Sequence, residues 1–124
     1  MLARTLLAVA ALACALFATA TPAAASQTQS CQLTVSDFYM SIAMQTSSAG
    51  LYGCSSERID GIEMEWAATP GGPFTVTYPA DYMSVSSDGK RATAYFLDPE
   101  QRGYCRAKAT AGALTAYSPN TVSC

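Results

Sequence analysis

Apolar and polar residues alternate at period two through much of this chain, the pattern of strands that bury one face. Ile62, Met64, Trp66 and Ala68 take inward positions while Glu63, Glu65 and Ala67 take outward ones, and Thr69-Pro70-Gly71-Gly72-Pro73 stops that run as a turn. Phe74, Val76 and Tyr78 form the buried row of a return strand that ends at Pro79. Met83 to Ser86 and Arg91 to Leu97 flank Ser87-Asp88-Gly89-Lys90. Asp-Gly between two such runs predicts a hairpin, because both positions tolerate positive φ. Asp98-Pro99-Glu100-Gln101-Arg102-Gly103 is a polar crossover with proline placed where a turn wants it. Beyond it Cys105, Ala107 and Ala109 alternate with Tyr104, Arg106, Lys108 and Thr110, giving one small buried face and one polar face. Leu114 to Tyr117 pairs back after Gly112, and Ser118-Pro119-Asn120 leads into Val122 to Cys124.

Between Ser36 and Thr46 two readings compete. Phe38, Met40, Ile42 and Met44 alternate as a strand does, while Ser36 or Asp37 also suits the N-cap of a helix rich in Met and Ala. The alternation favours strand. The whole pattern predicts an all-β fold of roughly seven or eight short strands, arranged as a small antiparallel β-sandwich or barrel.

Residues 1–25 read instead as a secretory signal peptide. Arg4 supplies the positive region, Leu6 to Ala20 is apolar apart from Thr19, and Ala23-Ala24-Ala25 offers small residues for cleavage before Ser26. The apolar run is too short and too poorly flanked for a membrane span, and Cys14 falls inside the removed segment. The expectation is a secreted, extracellular single domain over residues 26–124, with no membrane insertion after cleavage. Without Arg4 the chain's seven Lys and Arg become six against nine Asp and Glu, a net charge of −3. So few cations argue against nucleic acid or an anionic membrane as partner, since clustered Lys and Arg hold both.

Cleavage leaves four cysteines, Cys31, Cys54, Cys105 and Cys124. An even number in a short exported chain predicts two disulfides, each contributing about 3 to 5 kcal/mol by loop closure. A zinc site is disfavoured: the sequence has no CxxC pair and no histidine. Connectivity does not follow from spacing alone.

From Leu51 to Tyr117 the layout resembles an immunoglobulin-like sandwich of the bacterial module type. Cys54 is followed by Trp66 at the centre of the next strand, and Tyr104-Cys105 comes later. Met83-Ser84-Val85-Ser86-Ser87-Asp88-Gly89-Lys90-Arg91-Ala92-Thr93-Ala94 and Gly103-Tyr104-Cys105-Arg106-Ala107-Lys108-Ala109-Thr110 are similar to the later strands of such modules. The resemblance implies that Cys54 pairs with Cys105 against Trp66 and that Cys31 pairs with Cys124. The rival is local pairing, Cys31 with Cys54 and Cys105 with Cys124. Tyr104 directly precedes its cysteine and so points to the opposite face, which departs from the tyrosine corner of antibody domains.

With no histidine there is no Ser-His-Asp triad, no Cys-His dyad and no imidazole metal ligand. Glu63 and Glu65 lie about 7 Å apart on one strand face, a superficial match to glycoside hydrolysis. In the arrangement that the immunoglobulin-like resemblance implies, their strand neighbours the one holding Arg106 and Lys108, and cross-strand ion pairing explains them better. Asp60, Asp81, Asp88 and Asp98 fall singly in turns, where Asp is favoured for its backbone hydrogen bonds, and form no calcium loop. Neither a catalytic group, a metal site nor a cofactor is expected.

Seven tyrosines in so short a chain suggest recognition. Tyr104, Arg106 and Lys108 are expected to share an outward face that Tyr95 and Tyr117 extend. The loop from Leu97 to Gly103, with Asp98, Pro99, Glu100, Gln101 and Arg102, is a second candidate contact. The functional expectation is a secreted non-enzymatic binding module for an extracellular protein or glycan. The alternative is a secreted inhibitor or effector that blocks a foreign enzyme through that loop.

Overall fold

The computed structural model describes residues 30–124; the signal-peptide reading of residues 1–25 and the domain start at residue 26 lie outside the described residues. Ten strands, all paired antiparallel, make two five-stranded sheets, and no helix lies among the described residues. Sheet A runs β1 (Gln32–Val35), β3 (Met44–Tyr52), β7 (Arg91–Phe96), β6 (Tyr82–Val85), with β2 (Tyr39–Ser41) also paired to β3. Sheet B runs β10 (Val122–Ser123), β8 (Tyr104–Ala111), β4 (Gly61–Ala67), β5 (Val76–Pro79), with β9 (Leu114–Tyr117) also paired to β8.

The inward rows of both sheets contribute to one hydrophobic core. Val35, Ala49, Leu51, Ala92, Ala94 and Phe96 come from sheet A, and Ile62, Met64, Trp66, Cys105, Ala107, Ala109 and Ala111 from sheet B. Phe38, just before β2, meets Phe96 edge-to-face at 5.4 Å between ring centroids. The four inward side chains of β8 are all small and fully buried, so the opposing layer approaches its backbone closely.

Ten strands rather than seven or eight result because each sheet has an edge that breaks in two at a serine. Along β3, β1 pairs with Ala49–Tyr52 and β2 with Met44–Thr46. Between them Ser36 N–H donates to the Ser48 carbonyl, and Ser36 Oγ accepts the Ser48 N–H. Along β8, β9 pairs with Lys108–Ala111 and β10 with Tyr104–Cys105. There Ser118 N–H donates to the Ala107 carbonyl and Ser118 Oγ accepts the Ala107 N–H. In both cases a hydroxyl replaces one ladder carbonyl, so the edge bends without leaving buried backbone unpaired.

The segment from Ser36 to Thr46 is extended, as its alternation indicated, but it is a hairpin and not one strand. Ile42 and Ala43 form its two-residue turn with φ of 53° and 60°. The apolar alternation runs through this turn and hides it. Two smaller expectations also change. Ala67 is fully buried beside Trp66 while Ala68 is exposed. Phe74 precedes β5 and stacks on Arg106, leaving the core-facing row to the half-buried Val76 and Tyr78.

The disulfide connectivity is local. Cys31 pairs with Cys54 at a Cα separation of 4.5 Å, and Cys105 with Cys124 at 5.9 Å. The nested pairing implied by the immunoglobulin-like resemblance, Cys54 with Cys105 and Cys31 with Cys124, is therefore corrected. Gln45, at the start of β3, lines the same groove as Cys124. Cys54 lies nine residues further along the chain, about 30 Å at strand rise. Cys31 precedes Gln32, which pairs with Tyr52, so it sits at the Cys54 end. Each nested bridge would have to span the length of the sheet.

Candidate functional site

The outward row of β8 carries Tyr104, Arg106 and Lys108, each half-buried and alternating with the fully buried Cys105, Ala107 and Ala109. Arg106 faces Glu65 across the β4–β8 ladder, and its Nε donates to Glu65 Oε1 at 2.8 Å. The guanidinium lies 4.0 Å from the Phe74 ring centroid and 4.1 Å from that of Tyr117. Two rings and a carboxylate thus engage it on three sides. Lys108 sits in register with Glu63 on one side and Tyr117 on the other, and Tyr104 with Ala67 and Ser123. The arrangement uses its cation internally, and the Glu63–Glu65 pair is part of a charge-balanced strand face.

Tyr95 does not extend this row. It lies on β7, in the other sheet, with its ring 5.8 Å from that of Tyr82. The outer face of sheet A gathers four of the seven tyrosines, Tyr39, Tyr52, Tyr82 and Tyr95, which alternate along their strands with inward core residues. Strand register sets hydroxyls side by side: Ser48 opposes Thr93, and Thr93 opposes Ser84. Tyr39 OH contacts Ser48 Oγ at 3.1 Å, and Ser48 Oγ contacts Thr93 Oγ1 at 3.2 Å.

One row further along β3, Thr34, Gly50 and Arg91 align across three strands. A groove of about 470 Å³ opens there, lined by Thr34, Ser36, Ser48, Gly50, Tyr52, Arg91 and Thr93 together with Val35, Ala49 and Ala92. Arg91 Nη1 donates to Tyr52 OH at 2.9 Å, and its guanidinium carbon stands 5.1 Å from the ring centroid. Toward the β2–β3 turn, Ile42, Met44, Tyr82 and Tyr95 line a separate hollow of about 260 Å³. Ile42 is 85% exposed at its rim.

The loop from Leu97 to Gly103 is pinned at three points. Leu97 N–H donates to Asp81 Oδ2 at 2.8 Å, Trp66 Nε1 donates to the Gln101 carbonyl at 3.2 Å, and Gly103 and Cys124 exchange backbone hydrogen bonds. Asp98, Glu100, Gln101 and Arg102 are exposed and Pro99 is half-buried. Asp98, Pro99, Glu100 and Arg102 line a groove of about 390 Å³ with Gln45, Ser123 and Cys124.

Among the described residues, Cys31, Cys54 and Glu57 bring potential metal-ligand atoms within 4.8 Å of one another. The two sulfurs are joined as a disulfide, which removes the thiolates that a metal would need. Glu57 Oε2 is buried with no hydrogen-bond partner among the described residues; Lys90 Nζ donates instead to the carbonyls of Glu57 and Ser55. Asp88, in the β6–β7 turn, is held below the usual carboxylate range by hydrogen bonds from Ser86 Oγ and the Lys90 N–H. It acts on the turn.

No family model matches this chain, and comparison with characterised proteins and with solved structures found no significant similarity. The outer face of sheet A did have a sequence signal: Thr46, Ser48, Gly50 and Tyr52 place hydroxyls, glycine and tyrosine at period two. That run carries no charged side chain.

Proposed function

We propose that this chain is an exported, non-enzymatic binding module with an immunoglobulin-like β-sandwich fold, and that it engages an extracellular protein or glycan through the outer face of sheet A. The strand orders β1-β3-β7-β6 and β10-β8-β4-β5 support the fold reading. Counting each split edge as one strand, they follow the A-B-E-D and G-F-C-C′ orders of that architecture. Two disulfides are consistent with an oxidising, extracellular compartment.

The observation that carries the functional reading is the composition of one face. Four tyrosines, a row of hydroxyls, a glycine and one arginine cover the outside of sheet A, the mixture favoured where rigid amphipathic rings and adaptable hydrogen bonds make contact. A photo-crosslinking residue at Tyr52 or Tyr95, offered to the protein's extracellular milieu, is expected to yield a discrete adduct that the same residue at Tyr104 does not. Equal or absent labelling at all three positions would overturn the choice of face.

A specific feature favours a second reading, inhibition of a foreign enzyme. The three anchors of the Leu97–Gly103 loop present Arg102 on a rigid base, as an inserting inhibitory loop requires. If that reading holds, Arg102→Ala abolishes inhibition of the target hydrolase while leaving the melting temperature unchanged.

A further inference from the structure

We infer that the groove crossing β1, β3 and β7 is a binding site for a neutral saccharide; the assignment rests on the binding-module reading and narrows it to one ligand class. Hydrogen-bonding capacity is the first argument. Tyr39 OH, Ser48 Oγ and Thr93 Oγ1 form a connected row in which two contacts use two of the three O–H donors. Among the described residues, one donor and most of the lone pairs stay open along one line. A sugar, whose hydroxyls each donate and accept, can satisfy both kinds of vacancy, and linked hydroxyl chains reinforce one another.

The aromatic geometry is the second argument. A Cβ on Gly50 would lie 3.0 to 3.2 Å from the hydroxyl end of the Tyr52 ring, so the ring is laid down over the glycine instead of standing off the sheet. Tyr52 nonetheless remains 45% exposed. A flat, partly exposed ring beside hydroxyl donors matches a pyranose, which offers C–H groups on its faces and O–H groups at its rim. The Arg91 hydrogen bond to Tyr52 OH holds the ring in that pose.

Charge and size select among ligand classes. Among the described residues, Arg91 is the one ionic side chain lining the groove, and no carboxylate accompanies it. A metal ion or cationic ligand finds no counter-charge there, and an anionic polymer finds a single cation already engaged with Tyr52. The floor of small and hydroxyl-bearing residues also lacks the apolar anchor a peptide would use; that feature lies apart, in the hollow at Ile42. Three strands span about 10 Å at ordinary inter-strand spacing, enough for two linked sugar rings.

The test titrates the purified, disulfide-bonded protein with four neutral hexasaccharides: cellohexaose, maltohexaose, xylohexaose and chitohexaose. Hexagalacturonate serves as the anionic comparison, and amide NMR shifts with calorimetry provide the readout. At least one neutral chain is expected to give saturable shifts centred on Thr34, Ser48, Gly50 and Thr93. Tyr52→Ala should weaken that binding tenfold or more and Thr93→Val several-fold, both with the dispersed amide spectrum of the folded domain retained, while Thr77→Ala on β5 has no effect. The inference is overturned if no neutral chain binds, if hexagalacturonate binds more tightly, or if the shifts fall elsewhere or ignore Tyr52→Ala. Should none bind while the Tyr52 photo-crosslink still captures a protein, the saccharide assignment falls and the binding-module reading stands. Absence of both removes the two together.

Discussion

The carboxylate of Asp37 accepts two hydrogen bonds from Asn120, the backbone N–H to Oδ1 at 2.7 Å and Nδ2 to Oδ2 at 2.9 Å. Asp37 follows Ser36 in the break between β1 and β2, and Asn120 follows Ser118 in the break between β9 and β10. The pair therefore ties the split edge of sheet A to the split edge of sheet B. Each side chain is at least partly exposed, so Asp37→Ala is expected to cost about 1 kcal/mol. A double-mutant cycle with Asn120→Ala should recover most of that as coupling, and hydrogen exchange at the Asn120 amide should accelerate in the single Asp37 variant.

Ile42 and Ala43 occupy the left-handed region in the β2–β3 turn, where a Cβ is crowded and a β-branched residue is worst placed. Two-residue hairpins of this geometry prefer Asn-Gly. Ala43→Gly and Ile42→Asn are each expected to stabilise by about 1 kcal/mol. In a domain of this size that corresponds to a rise of roughly 4 to 8 °C in thermal midpoint. A fall in either variant would contradict the turn assignment.

Gly103 is required by space. A Cβ there would collide with Trp66 Nε1 and the Ala67 carbonyl oxygen, both held within sheet B. Gly103→Ala is expected to cost about 1 to 3 kcal/mol and to release the Trp66–Gln101 hydrogen bond. Guanidinium unfolding gives the first quantity, and a red shift in tryptophan emission reports the second.

Non-reducing peptide mapping should recover Cys31 with Cys54 and Cys105 with Cys124. The two bridges close loops of similar length, 23 and 19 residues apart, so loop entropy gives each about 3 kcal/mol. Burial separates them. Cys105 is fully buried opposite Trp66, whereas Cys31 and Cys54 are half-exposed. Replacing Cys105 and Cys124 by Ala is expected to cost more than replacing Cys31 and Cys54, because a core gap is added to the lost crosslink. Equal costs in chemical denaturation would argue against that packing.

Asp88 couples the β6–β7 turn to pH. Its folded-state pKa lies below the ordinary carboxylate value, first because of Ser86 Oγ and then the Lys90 N–H. A depressed pKa stabilises the fold fully above the unfolded value of about 4, and that contribution is lost as pH falls through the lower folded value. Thermal midpoints of the wild type and Asp88→Asn should differ at pH 7 and converge in strong acid. A gap that persists or widens in acid would exclude this linkage.

The sequence by itself determined which side chains turn inward on most strands and where the Asp-Gly hairpin turns, and its cysteine count indicated two bridges. The first two are local matters: successive residues of a strand point to opposite faces, and a turn depends on its own few residues. Only the tertiary structure decided which sheet each face belongs to. Tyr95 and Tyr104 both point outward, but from different sheets, because alternation distinguishes inside from outside and carries no information about the strand's neighbours. Cysteine pairing was settled the same way: Cys54 and Cys105 have compatible spacing along the chain, yet strand register puts them at opposite ends of the sheets, and that register is fixed by contacts between residues far apart in sequence.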